Sequence, residues 1–173
     1  MKVVNVHHRE LSASSSQVGA LLDSLSAPND RLWPSRWPPM RFDRPLQVGA
    51  FGGHGPIKYQ VEQYTPGALV SFRFTAPEGF DGMHSFSVTP LAGTHAVRIT
   101  HRLEMTTSGR ATWLWLAAIR QLHDALIEDA FDHASQELKL PCVPRTWSVW
   151  VRMLRLGLRA RKSTSGVAHD GSK

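Results

Sequence analysis

Apolar residues recur two apart through much of the first hundred positions of the chain, and three and four apart beyond about residue 109. The first period predicts strands and the second a long helix. Lys2–Leu11 reads as a strand with Val4, Val6 and His8 on one face. One of Ser14, Ser15 and Ser16 then caps a short helix through about Leu25, on which Val18, Leu21, Leu22 and Leu25 follow helical spacing. From Ala27 to Pro45, Pro28, Pro34, Pro38, Pro39 and Pro45 exclude a long regular helix. Trp33 and Trp37, between those prolines, are expected to pack the irregular segment onto the body, or alternatively to gate a pocket. Two alternating runs follow, Leu46/Val48/Ala50 and Ile57/Tyr59/Val61. The glycine-rich stretch Gly49–Gly55 reads as the link between these neighbouring strands. Thr65-Pro66-Gly67-Ala68 has proline and glycine where a type II turn needs them, and leads into Val70, Phe72 and Phe74. Lys58, Gln60, Glu62, Ser71 and Arg73 form the opposite set, so the sheet should bury one face and wet the other.

A further hairpin brings chemistry to the buried face. Gly82, His84, Phe86 and Val88 alternate on one strand, and Val97, Ile99, His101, Leu103 and Met105 on the next. A turn centred on Ala92-Gly93 would set Val88 opposite Val97, Phe86 opposite Ile99 and His84 opposite His101, with the two histidine Cβ atoms about 4.5–5.5 Å apart. Past Gly109 a helix runs to about Leu140. Its apolar stripe is Trp115, Ile119, Leu122, Leu126, Ala130 and Ala134, and His123 falls inside that stripe. Asp124, Glu128 and Asp132 lie along one helix edge, expected to be solvated; the alternative is a metal or acid/base site.

This order, strand, short helices, a run of antiparallel strands and a long C-terminal helix, resembles the helix-grip superfamily of START-related lipid-transfer domains, pollen-allergen-like proteins and polyketide cyclases, the SRPBCC proteins. The resemblance covers roughly residues 1–140. Gly52-Gly53-His54-Gly55-Pro56-Ile57-Lys58 is similar to the glycine-rich loop between the second and third strands of the pollen-allergen class. Leu32-Trp33-Pro34, Phe42-Asp43-Arg44-Pro45-Leu46 and Leu122-His123-Asp124-Ala125-Leu126 look like bacterial members known only as SRPBCC or cyclase/dehydrase-like. The resemblance implies an α+β fold in which a curved antiparallel sheet of about six to seven strands wraps a long C-terminal helix, with short helices between the first two strands. It also implies an apolar cavity between sheet and helix that takes a small hydrophobic or aromatic molecule, lipid- or polyketide-like.

Composition bounds the rest. At 173 residues and 42% hydrophobic the chain suits one domain. We divide it into a body at 1–140, a basic amphipathic extension at 141–162 and a disordered tail at 163–173. A single cysteine, Cys142, allows no internal disulfide and no Cys-based metal cluster. With no signal-like apolar start and no membrane-length apolar run, a cytoplasmic location is expected. The net charge of +6 is unevenly spread: residues 1–140 balance 13 basic against 13 acidic groups, whereas 141–173 hold 7 basic groups and only Asp170. A neutral body argues against a nucleic-acid partner. In the extension Trp147, Trp150, Val151, Leu154 and Leu158 form an apolar stripe, with Arg152, Arg155 and Arg159 to another side. Residues 145–162 should therefore dock on the body or a second copy, or lie at the inner membrane surface as a peripheral contact.

The candidate ligand contacts are His54, Tyr59, Phe72, His84, Phe86, Ile99, His101, Trp115, Ile119 and His123. Buried neutral imidazoles at 84, 101 and 123 would hydrogen-bond one another or a ligand, with His54 at the rim. The same three are the catalytic candidates, since a neutral buried imidazole is the general base that a cyclase or dehydratase needs. Three histidines could also hold zinc, but no His-Glu-x-x-His spacing occurs, and neither a metal nor another cofactor is expected. No Gly-x-Ser-x-Gly elbow and no phosphate-binding Gly-Lys-Ser/Thr ending is present, which disfavours hydrolase and nucleotide readings. The glycines themselves suit either a bulge where the sheet bends or a ligand-contacting lid.

Overall fold

The computed structural model describes residues 1–167. Seven strands form one antiparallel sheet: β1 (Lys2–Leu11), β2 (Arg41–Phe42), β3 (Phe51–His54), β4 (Ile57–Thr65), β5 (Leu69–Ala76), β6 (Phe80–Pro90) and β7 (Val97–Thr107). Their spatial order is β1-β7-β6-β5-β4-β3-β2, so the first strand returns beside the last. Among the described residues a single helix, α1 (Ser15–Asp23), separates β1 from β2, where several short ones were expected. It starts at a capping box: the Ser14 side chain accepts from the Gln17 backbone N–H, and the Gln17 side chain accepts from the Ser14 backbone.

The sheet's inner face is covered by one long helical run, α2 (Gly109–Leu114), a π-helical turn (Trp115–Ile119) and α3 (Arg120–Glu137). The predicted stripe is the covering face, with Trp115, Leu126, Ala130 and Ala134 buried. The extension folds into α4 (Val149–Val167), and Val151 is buried against the body. Residues 163–167, expected in the disordered tail, continue that helix; the rest of the expected tail, 168–173, lies outside the described residues.

Five local expectations are corrected. The inward face of β1 is the odd one: Val4 is 51% exposed, as Val6 also is largely, while Val3 and Leu11 are buried. Register explains this, because His7 and Arg9 stand opposite His101 and Ile99 of β7, and directly opposed residues share a face. Leu46–Ala50 is not a strand. Pro45 and Gly49, with φ +86°, interrupt it, and a loop closed by paired bonds between Asp43 and Phe51 takes its place. Ser71, assigned to the wetted set, is buried.

The β6–β7 hairpin keeps the predicted parity but slides by two residues. Val88 faces Ile99, Phe86 faces His101 and His84 faces Leu103, because the turn centres on Gly93-Thr94 rather than Ala92-Gly93. His84 and His101 are thus diagonal neighbours.

The glycine-rich stretch proves to be a strand, not a link. A Cβ on Gly52 would lie 2.0 Å from the Arg41 carbonyl oxygen, and one on Gly53 (φ +145°) 2.1 Å from that of Ile57. Only glycine lets β3 pass between β2 and β4, and the turn itself is Gly55-Pro56.

Candidate functional site

Between the sheet and the long helix lies a cavity of about 500 Å³ with a mainly apolar wall. Eight of the ten predicted contacts line it: His54, Tyr59, His84, Phe86, His101, Trp115, Ile119 and His123. Phe72 and Ile99 do not. Phe72 is fully buried behind the wall, stacked on His84 at 4.8 Å and on Phe42 at 5.8 Å. Ile99 is fully buried beside Val88 and Arg9. The two-residue slide of the hairpin shifts the hollow toward Phe74, Phe80 and Leu103, which line it instead.

Trp33 and Trp37 pack the irregular segment onto the body as expected: each is buried, and each also lines the cavity. The Trp33 ring lies 4.9 Å from that of His54, the rim histidine. Its Nε1–H donates to the Pro38 carbonyl at 2.9 Å.

Polar atoms converge inside the apolar wall. Tyr59 Oη, His84 Nε2, His101 Nδ1 and His123 Nε2 are buried without a protein hydrogen-bond partner, while His123 Nδ1 lies 3.6 Å from Asp124 Oδ1. His84 Nδ1 and His101 Nε2 share one hydrogen bond of 3.2 Å, and the His123 ring packs 4.9 Å from that of His101. Burial drives the protonation equilibria of all three histidines down, and that of His54 to about 3. Burial also pushes the Tyr59 phenol well above its ordinary value. At neutral pH the cavity therefore holds no formal charge on these five side chains.

The neutral histidine pair has a defined chemistry. If His84 Nδ1–H donates, His101 must carry its other hydrogen on Nδ1 and His84 Nε2 is a bare acceptor; if His101 donates, both far nitrogens exchange roles. In either tautomer the pair offers one donor and one acceptor.

Behind the cavity the acidic edge of α3 is clamped to β1 rather than solvated. Asn5 Nδ2 donates to Asp124 at 2.9 Å; His7 meets Asp124 at 3.1 Å and Glu128 at 2.8 Å; Arg9 donates to Glu128 and Asp132 at 3.0 Å each. Four helical residues rise about 6 Å and two strand residues about 6.7 Å, so acids four apart match alternate strand positions. The hydrogen bond to Asp124, against the effect of burial and with help from Glu128, raises the His7 pKa. Burial pushes the Asp124 carboxyl up, but the imidazoles of His123 and His7 and the Asn5 amide outweigh it and hold it low. His7, His123 and Asp124 bring ligand atoms within 4.8 Å of one another. Both His7 nitrogens already face carboxylates, so the geometry fits a charged clamp better than a metal centre.

The sequence reading missed a second anchor, Asp129, with 2% of its side chain exposed. It accepts from Arg36 at 2.9 and 3.1 Å, from Trp37 Nε1 at 2.6 Å and from Trp147 Nε1 at 3.0 Å. Arg155 was placed on the polar side of α4, yet it is buried, with its guanidinium 4.0 Å from the Trp37 ring and 4.2 Å from that of Trp147. The one available signal was the interval of 18 residues between Asp129 and Trp147, which carries no periodic pattern. A second groove of about 470 Å³, beside Gln17, Arg31 and Glu137, holds no buried unpartnered polar atom among the described residues.

No family model matches the sequence. No curated protein matches it either. Solved structures do match in shape. Norcoclaurine synthase from Thalictrum flavum, in complex with dopamine and hydroxybenzaldehyde, is 16% identical, with a TM-score of 0.61 over 83% of this chain and 90% of that one. A Thermobifida fusca protein solved by NMR is 12% identical, with a TM-score of 0.61 over 82% and 99% of the two chains. CalU16 from Micromonospora echinospora, also 12% identical, aligns at 0.55 over 79% and 78%. At such identities shape is what is shared. A long helix gripped by a seven-stranded antiparallel sheet, matched over four fifths of its length by these structures, gives the chain the helix-grip fold that they share.

Proposed function

We propose that the protein binds a small, largely apolar molecule, aromatic or polyketide-like, that carries a hydroxyl or carbonyl group. The observation that carries this reading is the set of buried, unpartnered polar atoms on Tyr59, His84, His101 and His123 inside an apolar cavity. An unpaired buried polar group costs about 1–3 kcal/mol, and a ligand hydroxyl or carbonyl offsets that cost on each atom it meets. The volume lies within the ordinary range for small-molecule pockets. That a synthase of the same fold holds dopamine and hydroxybenzaldehyde supports the size class. We place this activity in the cytoplasm, where an unpaired Cys142 stays reduced, with no nucleic-acid partner.

The test is direct. The purified chain should quench or enhance N-phenyl-1-naphthylamine fluorescence saturably, and Ala118→Trp, which fills the wall beside Ile119, should lower that affinity at least tenfold. Native mass spectrometry should detect a co-purifying small molecule that the variant lacks. No saturable binding by the parent chain, together with no co-purifying molecule, would dispose of the proposal.

The linked histidine pair favours a second reading, a cyclase or dehydratase-type enzyme. With a ketone bound, His84 Nε2 takes a proton from the carbon beside the carbonyl while His101 Nδ1–H gives one to the carbonyl oxygen. The hydrogen between the rings moves from His84 Nδ1 to His101 Nε2, so both rings end neutral and the product is the enol. No charge has to be created in the apolar cavity. Deuterium exchange into a bound ketone, lost in His84→Phe while dye affinity persists, would identify the enzyme; unchanged exchange would leave the carrier.

A further inference from the structure

Large apolar side chains that face water are concentrated on one side of the molecule. α4 carries two opposite apolar stripes. Val151, Arg155 and Leu158, spaced i, i+4, i+7, face the body, with Leu158 and Arg155 at the cavity. Val149, Met153 and Leu156 have the same spacing on the far side and are exposed, Leu156 by 65%. The Trp150 indole donates to the Ala117 carbonyl at 3.0 Å, which fixes α4 beside the π-helical turn. One turn before Ala117, Trp113 is 74% exposed, and Leu114 and Leu116 are exposed beside it. Leu114 and Leu158 both border the cavity while remaining exposed, so part of its rim lies among these side chains.

Charge says what covers this surface. Residues 109–123 and 141–158, which build it, contain Arg110, Arg120, Arg145, Arg152 and Arg155 and not one Asp or Glu. The remainder of the chain is close to electroneutral. Tryptophans and aliphatic side chains beside an all-basic helix are the chemistry of an interfacial helix on an anionic bilayer. Among the described residues no helix is long and apolar enough to cross a membrane.

We propose that α2, the π-helical turn and α4 dock on an anionic lipid surface, with Trp113, Met153 and Leu156 in the headgroup boundary and the cavity rim at Leu114 and Leu158 turned toward the bilayer. The docking stands independently of what the cavity binds. A solute drawn from the bilayer would reach the cavity between Leu114 and Leu158 without crossing water.

Sedimentation with vesicles tests it on the full chain. Phosphatidylglycerol vesicles at low salt should pellet the protein and phosphatidylcholine vesicles should not. The exposed triple variant Trp113→Ser, Met153→Ser, Leu156→Ser should bind the anionic vesicles at least tenfold more weakly. Arg152→Glu should lose more than the roughly fivefold expected for removing one positive charge at the surface. Circular dichroism should show both variants folded, since these side chains are exposed. Failure of the full chain to pellet with anionic vesicles, or equal pelleting of the triple variant, overturns the proposal. So does a concentration-dependent dimer in sedimentation velocity that the triple variant abolishes, because the surface would then belong to a second copy.

Discussion

Tyr59 is the sharpest case of a buried polar group that the protein itself leaves unpaired. Its ring packs on Phe72 at 5.2 Å and His84 at 4.7 Å, and its hydroxyl is buried without a protein partner. Tyr59→Phe keeps the ring contacts and removes the unpaired group. It should leave the unliganded protein as stable or stabilise it by about 1 kcal/mol, while weakening a hydroxyl- or carbonyl-bearing ligand. Chemical denaturation checks this, and a loss above about 1 kcal/mol would mean that the hydroxyl has a structural partner. The parity of the three cavity histidines was legible in the sequence: His84, His101 and His123 all face inward as the two periods require. The choice of Phe72 and Ile99 over Phe74 and Phe80 was not legible, because all four satisfy the same alternation and only register separates them.

Elements are held together by carboxylates on α3 that periodicity describes as a polar edge and nothing more. Asp129 ties three segments to one point: α3, the proline-rich stretch through Arg36 and Trp37, and the extension through Trp147. Asp129→Ala would strand two indole N–H groups and a guanidinium, and should cost about 3–5 kcal/mol. Arg98→Ala is a control. Its partner Glu10 is exposed, so a change within about 1 kcal/mol is expected. Equal losses from the two substitutions would show that Asp129 is not an anchor. The order of elements along the chain, the Pro66-Gly67 turn, the α1 cap and the long helix could all be read from the sequence because each has a local cause. β1's inward face and the place of Arg155 on the docked side of α4 could not, since both are set by partners more than 100 residues away: His7 and Arg9 on α3, and Arg155 over Trp37.

At the scale of the whole molecule, the buried histidines and the His7 clamp set opposite pH dependences. His54, His84, His101 and His123 have folded pKa values below the unfolded 6.5, so their contribution is intact above pH 6.5. It is lost as pH falls from there toward their folded values, down to about 3 for His54. His7 has a raised folded pKa; its contribution is full below 6.5 and is lost as pH rises through the folded value. Four groups oppose one, so acid should win. The unfolding free energy should be nearly level between pH 7 and 8, apart from a shallow decline from His7, and should fall steeply below pH 6.5. Binding of a neutral dye should behave differently, because burial keeps the cavity histidines neutral below the pH at which free histidine ionises. Its affinity should be level from pH 8 to 5.5 wherever the protein is still folded. Denaturant titrations and dye titrations on the same samples separate the two curves. A dye affinity that drops tenfold per pH unit below 6.5, in step with stability, would mean that the imidazoles ionise in the folded state and that water reaches them.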